Sequence, residues 1–219
     1  PLGKDAMSHG IDGITMVSLR VFFGMVLFWL TALCFKREKV PLRDKLLFGA
    51  AGLFGLTFNQ CLYTIGLSIT SPVNSSIVTT SMPIFAMVLS FLILKEPITL
   101  QKALGVFIGC CGAVTLVLTS AAAINDKIGD IRGDLMCIGA QLSFALYLSL
   151  FNKLIKRYSV FTVNKWMFLW ATMFIWPFTF THVSGVQWSD VPRMSLLEAG
   201  FVVFFGTYLS YILTMVGQQ

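Results

Sequence analysis

Leu46 to Leu94 is a run of 49 residues without one Asp, Glu, Lys or Arg. A membrane-spanning helix needs about 20 apolar residues, because the hydrocarbon core is about 30 Å thick and a helix rises about 1.5 Å per residue. The run is long enough for two such helices and a tight turn. A soluble protein can bury one helix of this kind, but hardly the connecting turn as well. Charged residues are 12% of the chain and hydrophobic ones 56%, against roughly 25% and 45–50% in soluble domains. The chain therefore reads as an all-α, multi-pass membrane protein.

Seven spans are visible: Ile14–Phe35, Leu46–Leu67, Val73–Leu94, Lys102–Thr119, Asp134–Asn152, Trp166–Thr181 (shortened by Pro177) and Ser195–Val216. The loops at 36–45, 95–102 and 153–165 hold eleven of the sixteen Lys and Arg residues. By the positive-inside rule these loops are cytoplasmic. Residues 1–13, 68–72, 120–133 and 182–193 then face out, and every span alternates. The net charge of +6 is thus a matter of orientation, and no nucleic-acid partner is expected. The lipid bilayer is the expected surrounding, and the bacterial inner membrane the expected location.

All five cysteines lie inside apolar segments and read as small packing residues. His9 and His182 cannot build a metal centre alone, so neither metal nor cofactor is expected. No cleavable signal peptide is visible and the first residue is proline, so the chain is expected to be a fragment.

Ser71–Leu94 opens with small polar residues and carries a proline in its middle. Pro83 has no N–H, which strands the carbonyl of Thr79. Lipid cannot satisfy it, so a hydroxyl, a water or a neighbouring helix must. Ser76, Thr80, Pro83, Met87 and Ser90 share one face. The stretch is either a kinked packing helix or one wall of a solute pathway.

An internal repeat adds topology. Phe54–Gly66 (FGLTFNQCLYTIG) resembles Phe205–Gly217 (FGTYLSYILTMVG) at an offset of 151, which also carries Ser8 onto Ser159. On that map each half should hold five helices, with one lacking at the start of this chain and two at its end. An odd number of helices per half inverts the second half relative to the first. Inverted repeats point to a transporter with its site between the halves.

Three stretches resemble the drug/metabolite transporter superfamily, EamA type: ITMVSLRVFFG, with Arg20; SSIVTTSMPIFAMVLSFLILKEPITLQKALGVFIGCCGAVTL, with Pro83, Glu96, Gly105, Gly109 and Gly112; and GDLMCIGAQLSFALYLSLFNKLIKRYS. The resemblance implies ten helices in two inverted five-helix repeats, seven of them visible here. Residues 1–119 would be the first repeat, 120–133 a linker and 134–219 the second repeat.

The candidate lining residues are Asn59, Gln60, Tyr63, Thr79, Thr80, Pro83, Ser143, Tyr147, Tyr208, Tyr211 and Arg20. Asn59 and Gln60 are amides in an apolar span and must be paired or face a wet cavity. Arg20 lies about 9 Å inside its span, where an arginine is costly, although it could snorkel outward. Asn74 and Ser75 read as helix caps. Glu96 reads as a helix-end carboxylate bonded to the start of the next span. Gly105, Gly109 and Gly112 give a flat face for close helix contact, within the chain or in a homodimer.

The expected function is secondary transport of a small solute, a metabolite such as an amino acid or a drug-like molecule, outward by alternating access. An enzyme is not expected: neither G-x-S-x-G nor H-E-x-x-H occurs. The alternatives are a flippase for a lipid-linked substrate and a non-transporting scaffold.

Overall fold

The computed structural model describes residues 12–35, 38–124, 130–186 and 191–218. Among these the secondary structure is helical throughout. In chain order the elements are α1 (Gly13–Leu33), α2 (Leu42–Gly52), a π-helical segment π1 (Leu53–Phe58), α3 (Asn59–Ile69), α4 (Pro72–Thr79), α5 (Met82–Leu89), π2 (Ser90–Leu94), α6 (Leu100–Ile124), α7 (Ile131–Leu150), α8 (Asn152–Ile155), α9 (Val160–Gly185), α10 (Arg193–Val203), π3 (Phe204–Leu209) and α11 (Ser210–Gln218).

Helical segments lie at all seven expected positions, but only five are long and apolar enough to span among the described residues: Gly13–Leu33, Leu42–Ile69, Pro72–Leu94, Ile131–Leu150 and Arg193–Gly217. Leu100–Gly112 is a shorter apolar helix. The helix at the sixth position is longer than the expected Trp166–Thr181, running from Val160 to Gly185 with Pro177 inside it. Pro177 is exposed; inside the helix it costs one backbone hydrogen bond and its ring crowds the carbonyl four residues back.

The helix starts follow local chemistry. Asp12 caps α1 by accepting from Thr15 N at 2.9 Å, and Ser159 caps α9. The expected match of Ser8 to Ser159 lies outside the described residues. At α4 the cap is Ser71, which accepts from Asn74 N at 3.1 Å. Asn74 and Ser75 are therefore inside the helix, not its caps, and Pro72 occupies the first turn, where its missing N–H costs nothing.

The 151-residue offset recurs in the backbone. Pro41 and Pro192 are the N-caps of α2 and α10. Both helices last eleven residues and both pass into six-residue π segments, π1 at 53–58 and π3 at 204–209. A π turn bonds i to i+5 and inserts one residue into the α ladder, which disturbs the carbonyl pairing around it. The sequence likeness of Phe54–Gly66 and Phe205–Gly217 is thus a likeness of backbone irregularity as well as of residues.

The chain forms two compact units, Pro1–Thr57 with Phe151–Gln219, and Phe58–Leu150. In the first, α9 packs along α1 and α2. Gly24 admits Phe168 so closely that a Cβ there would lie 2.5 Å from the ring, and a Cβ on Gly52 would lie 2.8 Å from Met167 O. In the second, α7 packs on α3, α4 and α5.

Candidate functional site

In the second unit, α3 and α7 are joined by contacts repeated along their length. Asn59 Nδ2 donates to Ala140 O at 2.9 Å. Cys137 Sγ lies 4.0 Å from Tyr63 O. Gly66 and Gly133 face each other across the seam: a Cβ on either would come within 2.8 Å of the other's carbonyl oxygen. At the end of the seam Asp134 receives Thr70 Oγ1 at 2.5 Å on one carboxylate oxygen and Asn74 Nδ2 at 3.0 Å on the other. Asn59 therefore spends its amide on helix–helix bonding. Gln60, Ser143 and Tyr147 are buried; Tyr147 also meets the ring of Phe144 at 5.7 Å.

The helix containing Pro83 breaks between α4 and α5, at Thr80 and Ser81. Thr80 N and Ser81 N bond three residues back, to Ile77 O and Val78 O, which tightens the last turn. The carbonyl that finds a partner on another helix is Thr80's, which accepts from Cys110 Sγ of α6 at 3.2 Å. The expectation named the Thr79 carbonyl; Thr80 O loses its helical donor as well, because Ile84 N bonds to Ser81 O instead. The hydroxyls here turn back on their own helix: Ser76 to Pro72 O, Thr79 to Ser75 O, Thr80 to Ile77 O and Ser81 to Val78 O. Thr79 and Pro83 are exposed.

Glu96 reaches the next helix through an ion pair, Oε2 lying 3.6 Å from Lys102 Nζ with both side chains more than half exposed. The backbone at that helix start is capped instead by Thr99. A Cβ at Gly105, Gly109 or Gly112 would meet nothing within 4 Å, so their flat face carries no neighbour among the described residues.

In the first unit the π segments gather the candidates. Gly55 O in π1 accepts from the buried Tyr211 OH at 3.0 Å. Gly206 O in π3 accepts from Arg20 Nη2 at 3.3 Å, and Thr207 Oγ1 accepts from Arg20 Nε at 2.8 Å. Thr207 lies 3.4 Å from Val202 O, five residues back. Positions 55 and 206 lie 151 residues apart, and each carbonyl is met by a side chain from elsewhere in the unit. Tyr208 OH pairs with Thr31 Oγ1 at 2.9 Å. Between the two tyrosines stand Phe28 and Phe168, with ring centroids 4.7 Å from Tyr208 to Phe28, 4.9 Å from Phe28 to Phe168, and 5.2 Å from Phe168 to Tyr211. Arg20, Tyr208 and Tyr211 thus belong to one bonded assembly.

Sequence reasoning overlooked Asp44. It is buried in the first turn of α2 and accepts from Tyr158 OH and, at 3.2 Å, from Arg157 Nη1. The hydrogen bond to Asp44 holds the Tyr158 phenol above its ordinary range, with burial adding to the shift. An acidic residue three positions after a helix-starting proline was the available signal; nothing local named its partners, which lie more than a hundred residues away.

Five long apolar helices among the described residues make this a multi-pass integral membrane protein. More narrowly, the chain belongs to the EamA-like transporter family, whose profile matches residues 1–118. It is similar to YyaM of Bacillus subtilis, an uncharacterized transporter, at 31% identity over 166 residues, covering 75% of this chain and 53% of that protein. It is also similar to YoaV of the same organism, at 27% identity over 210 residues, covering 90% and 70%. An uncharacterized transporter of Archaeoglobus fulgidus is 26% identical over 202 residues, covering 92% and 69%. The chain spans about half the length of YyaM and YetK, two of the curated relatives it matches. A solved crystal structure of 15% identity superposes with a TM-score of 0.73 over 99% of this chain and 73% of its own, a likeness of fold.

Proposed function

We propose that this chain serves a secondary active transporter that moves a small metabolite, an amino acid or a drug-like solute, outward across a bacterial inner membrane by alternating access. The observation that carries the reading is the family match over residues 1–118. The backbone supports it. Broken or unwound helices inside a membrane are tolerated where they line a cavity or are bonded to protein, and transporters use them at their sites. Among the described residues there are a break at Thr80–Ser81 and three π segments within the apolar helices. Energy would come from an ion gradient.

The test is a solute screen with the intact protein in proteoliposomes, joined to cysteine-accessibility scanning at positions 60, 63, 80 and 147. Gradient-driven uptake or efflux of one solute, with that solute protecting at least one position from a water-soluble maleimide, is the expected result. Protection of all four positions without solute, together with no transport of any solute, would overturn the reading.

A second reading, movement of a lipid-like substrate, is favoured by one observation. A cavity of about 630 Å³ between α1 and α10 is lined by apolar side chains, among them Leu19, Phe23, Leu196, Val203 and Phe204. Scrambling of a fluorescent lipid by the reconstituted protein would select this reading over the first.

A further inference from the structure

In the second unit, π2 ends in a tight reversal. Lys95 takes a left-handed backbone, φ 56° and ψ 29°, and Lys95 N and Glu96 N both donate to Ser90 O, the second at 3.4 Å. The chain turns there toward α6, and Glu96 Oε2 comes to 3.6 Å from Lys102 Nζ. Beside this pair lies a cavity of about 440 Å³, to which Glu96 and Lys102 both contribute. Its inner walls are apolar, with Met87 from α5 and Val106 from α6. Gly105 also lines it, and a Cβ there would meet nothing within 4 Å.

The cavity is graded along the membrane normal. The span Pro72–Leu94 ends just before Glu96, so the charged rim lies where headgroups begin. Met87 lies about two helical turns inside that span. An occupant therefore meets one anion and one cation at the rim and hydrocarbon within. The rim charges are held loosely. Their separation is longer than the roughly 2.7–2.9 Å of a charge-assisted hydrogen bond, and both side chains are more than half exposed. Such a pair is opened at little cost, and a ligand carrying both signs replaces each partner with another. An anionic lipid satisfies Lys102 and is repelled by Glu96. A quaternary ammonium has no N–H to donate to the Glu96 carboxylate. A primary ammonium beside a phosphate satisfies both.

We infer that Glu96 and Lys102 form a binding site for the headgroup of a phosphatidylethanolamine, with an acyl chain entering the cavity past Gly105. The ammonium donates to Glu96 and the phosphate oxygens accept from Lys102. By the positive-inside rule the leaflet is the cytoplasmic one. The exposure of the pair limits the preference over phosphatidylcholine to about two- to fivefold.

The test is native mass spectrometry of the intact, delipidated protein, offered equal amounts of phosphatidylethanolamine and phosphatidylcholine with the same acyl chains. The first bound lipid should be phosphatidylethanolamine by that two- to fivefold excess. E96Q should remove the excess. G105F, which fills the cavity without touching a charge, should also remove it. G109F places the same ring one turn away on α6, outside the cavity lining, and should keep it. Circular dichroism and gel filtration establish that each variant is folded. Glycerophosphoethanolamine, the headgroup without chains, should neither bind nor displace the lipid. Its binding to wild type but not to E96Q would overturn the lipid source in favour of a soluble zwitterion. No excess in wild type, an excess kept in both E96Q and G105F, or equal loss in G105F and G109F would overturn the site itself.

Discussion

Glycine to alanine in a helix ordinarily stabilises by about 1 kcal/mol. At Gly66 and Gly133 the opposite sign is expected. A Cβ on Gly133 would sit 2.7 Å from Gly66 O and 2.8 Å from Thr70 N, and one on Gly66 would sit 2.8 Å from Gly133 O. These distances are about 0.6 Å short of ordinary contact, and the opposing atoms are backbone, which cannot swing aside. Overpacking of this kind costs about 1–3 kcal/mol. Relief requires α3 and α7 to separate, which stretches the bonds from Thr70 and Asn74 to Asp134, each worth about 1.5–3 kcal/mol when the acceptor is charged. After the propensity gain the net loss is about 2–4 kcal/mol, or roughly 5–15 °C in Tm for a chain of this size. The control is Gly109→Ala, whose Cβ meets nothing within 4 Å; it should hold or slightly raise Tm. Thermal melts of the purified protein in one detergent, followed by fluorescence-detected gel filtration, measure all three variants. A G133A protein melting at or above wild type would refute the close seam.

Arg20→Met removes both donors to π3 and should lower Tm by several degrees, the loss being about 1–3 kcal/mol after allowance for partial exposure; Arg20→Lys should recover only part, since a lysine cannot donate from two fixed nitrogens. Pro83→Ala restores a backbone N–H, so hydrogen exchange at 80–84 should slow, and transport should fall while expression holds; equal losses would leave Pro83 a packing residue. Tyr158→Phe should weaken the join to Asp44 near neutral pH. Because the folded phenol titrates above its unfolded value, its stabilising contribution is full below about pH 10. It fades as pH rises through the folded value, so the wild-type and Y158F melting curves should converge at alkaline pH. A gap independent of pH would show that the phenol proton is not what joins them.

The site residues were legible in unequal measure. Asn59 and Arg20 stood out because a polar group in an apolar span demands a partner. Their sequence neighbours could not name that partner, which is Ala140 O for one, and the Thr207 hydroxyl and Gly206 O of π3 for the other. Thr79 and Thr80 were read as lining, yet their hydroxyls bond their own helix, a choice made by a single rotamer. Cys110 looked like a small packing residue and proved to be the donor to Thr80 O.

What the sequence alone determined was the class of the chain and its one-dimensional plan. A 49-residue uncharged run, the gathering of lysines and arginines in three stretches, the prolines at 41 and 192 and the likeness of Phe54–Gly66 to Phe205–Gly217 are all properties of order along the chain. Only the tertiary structure decided which glycines are closed against a neighbour, as Gly66 and Gly133 are, and which are open, as Gly105 and Gly109 are. It also decided where Arg20, Tyr211 and Asp134 spend their hydrogen bonds. The physical reason is that helix formation depends on residues three or four apart. A buried polar group, in contrast, is satisfied by whatever three-dimensional packing brings within 3 Å of it, here from 60 to 187 positions away.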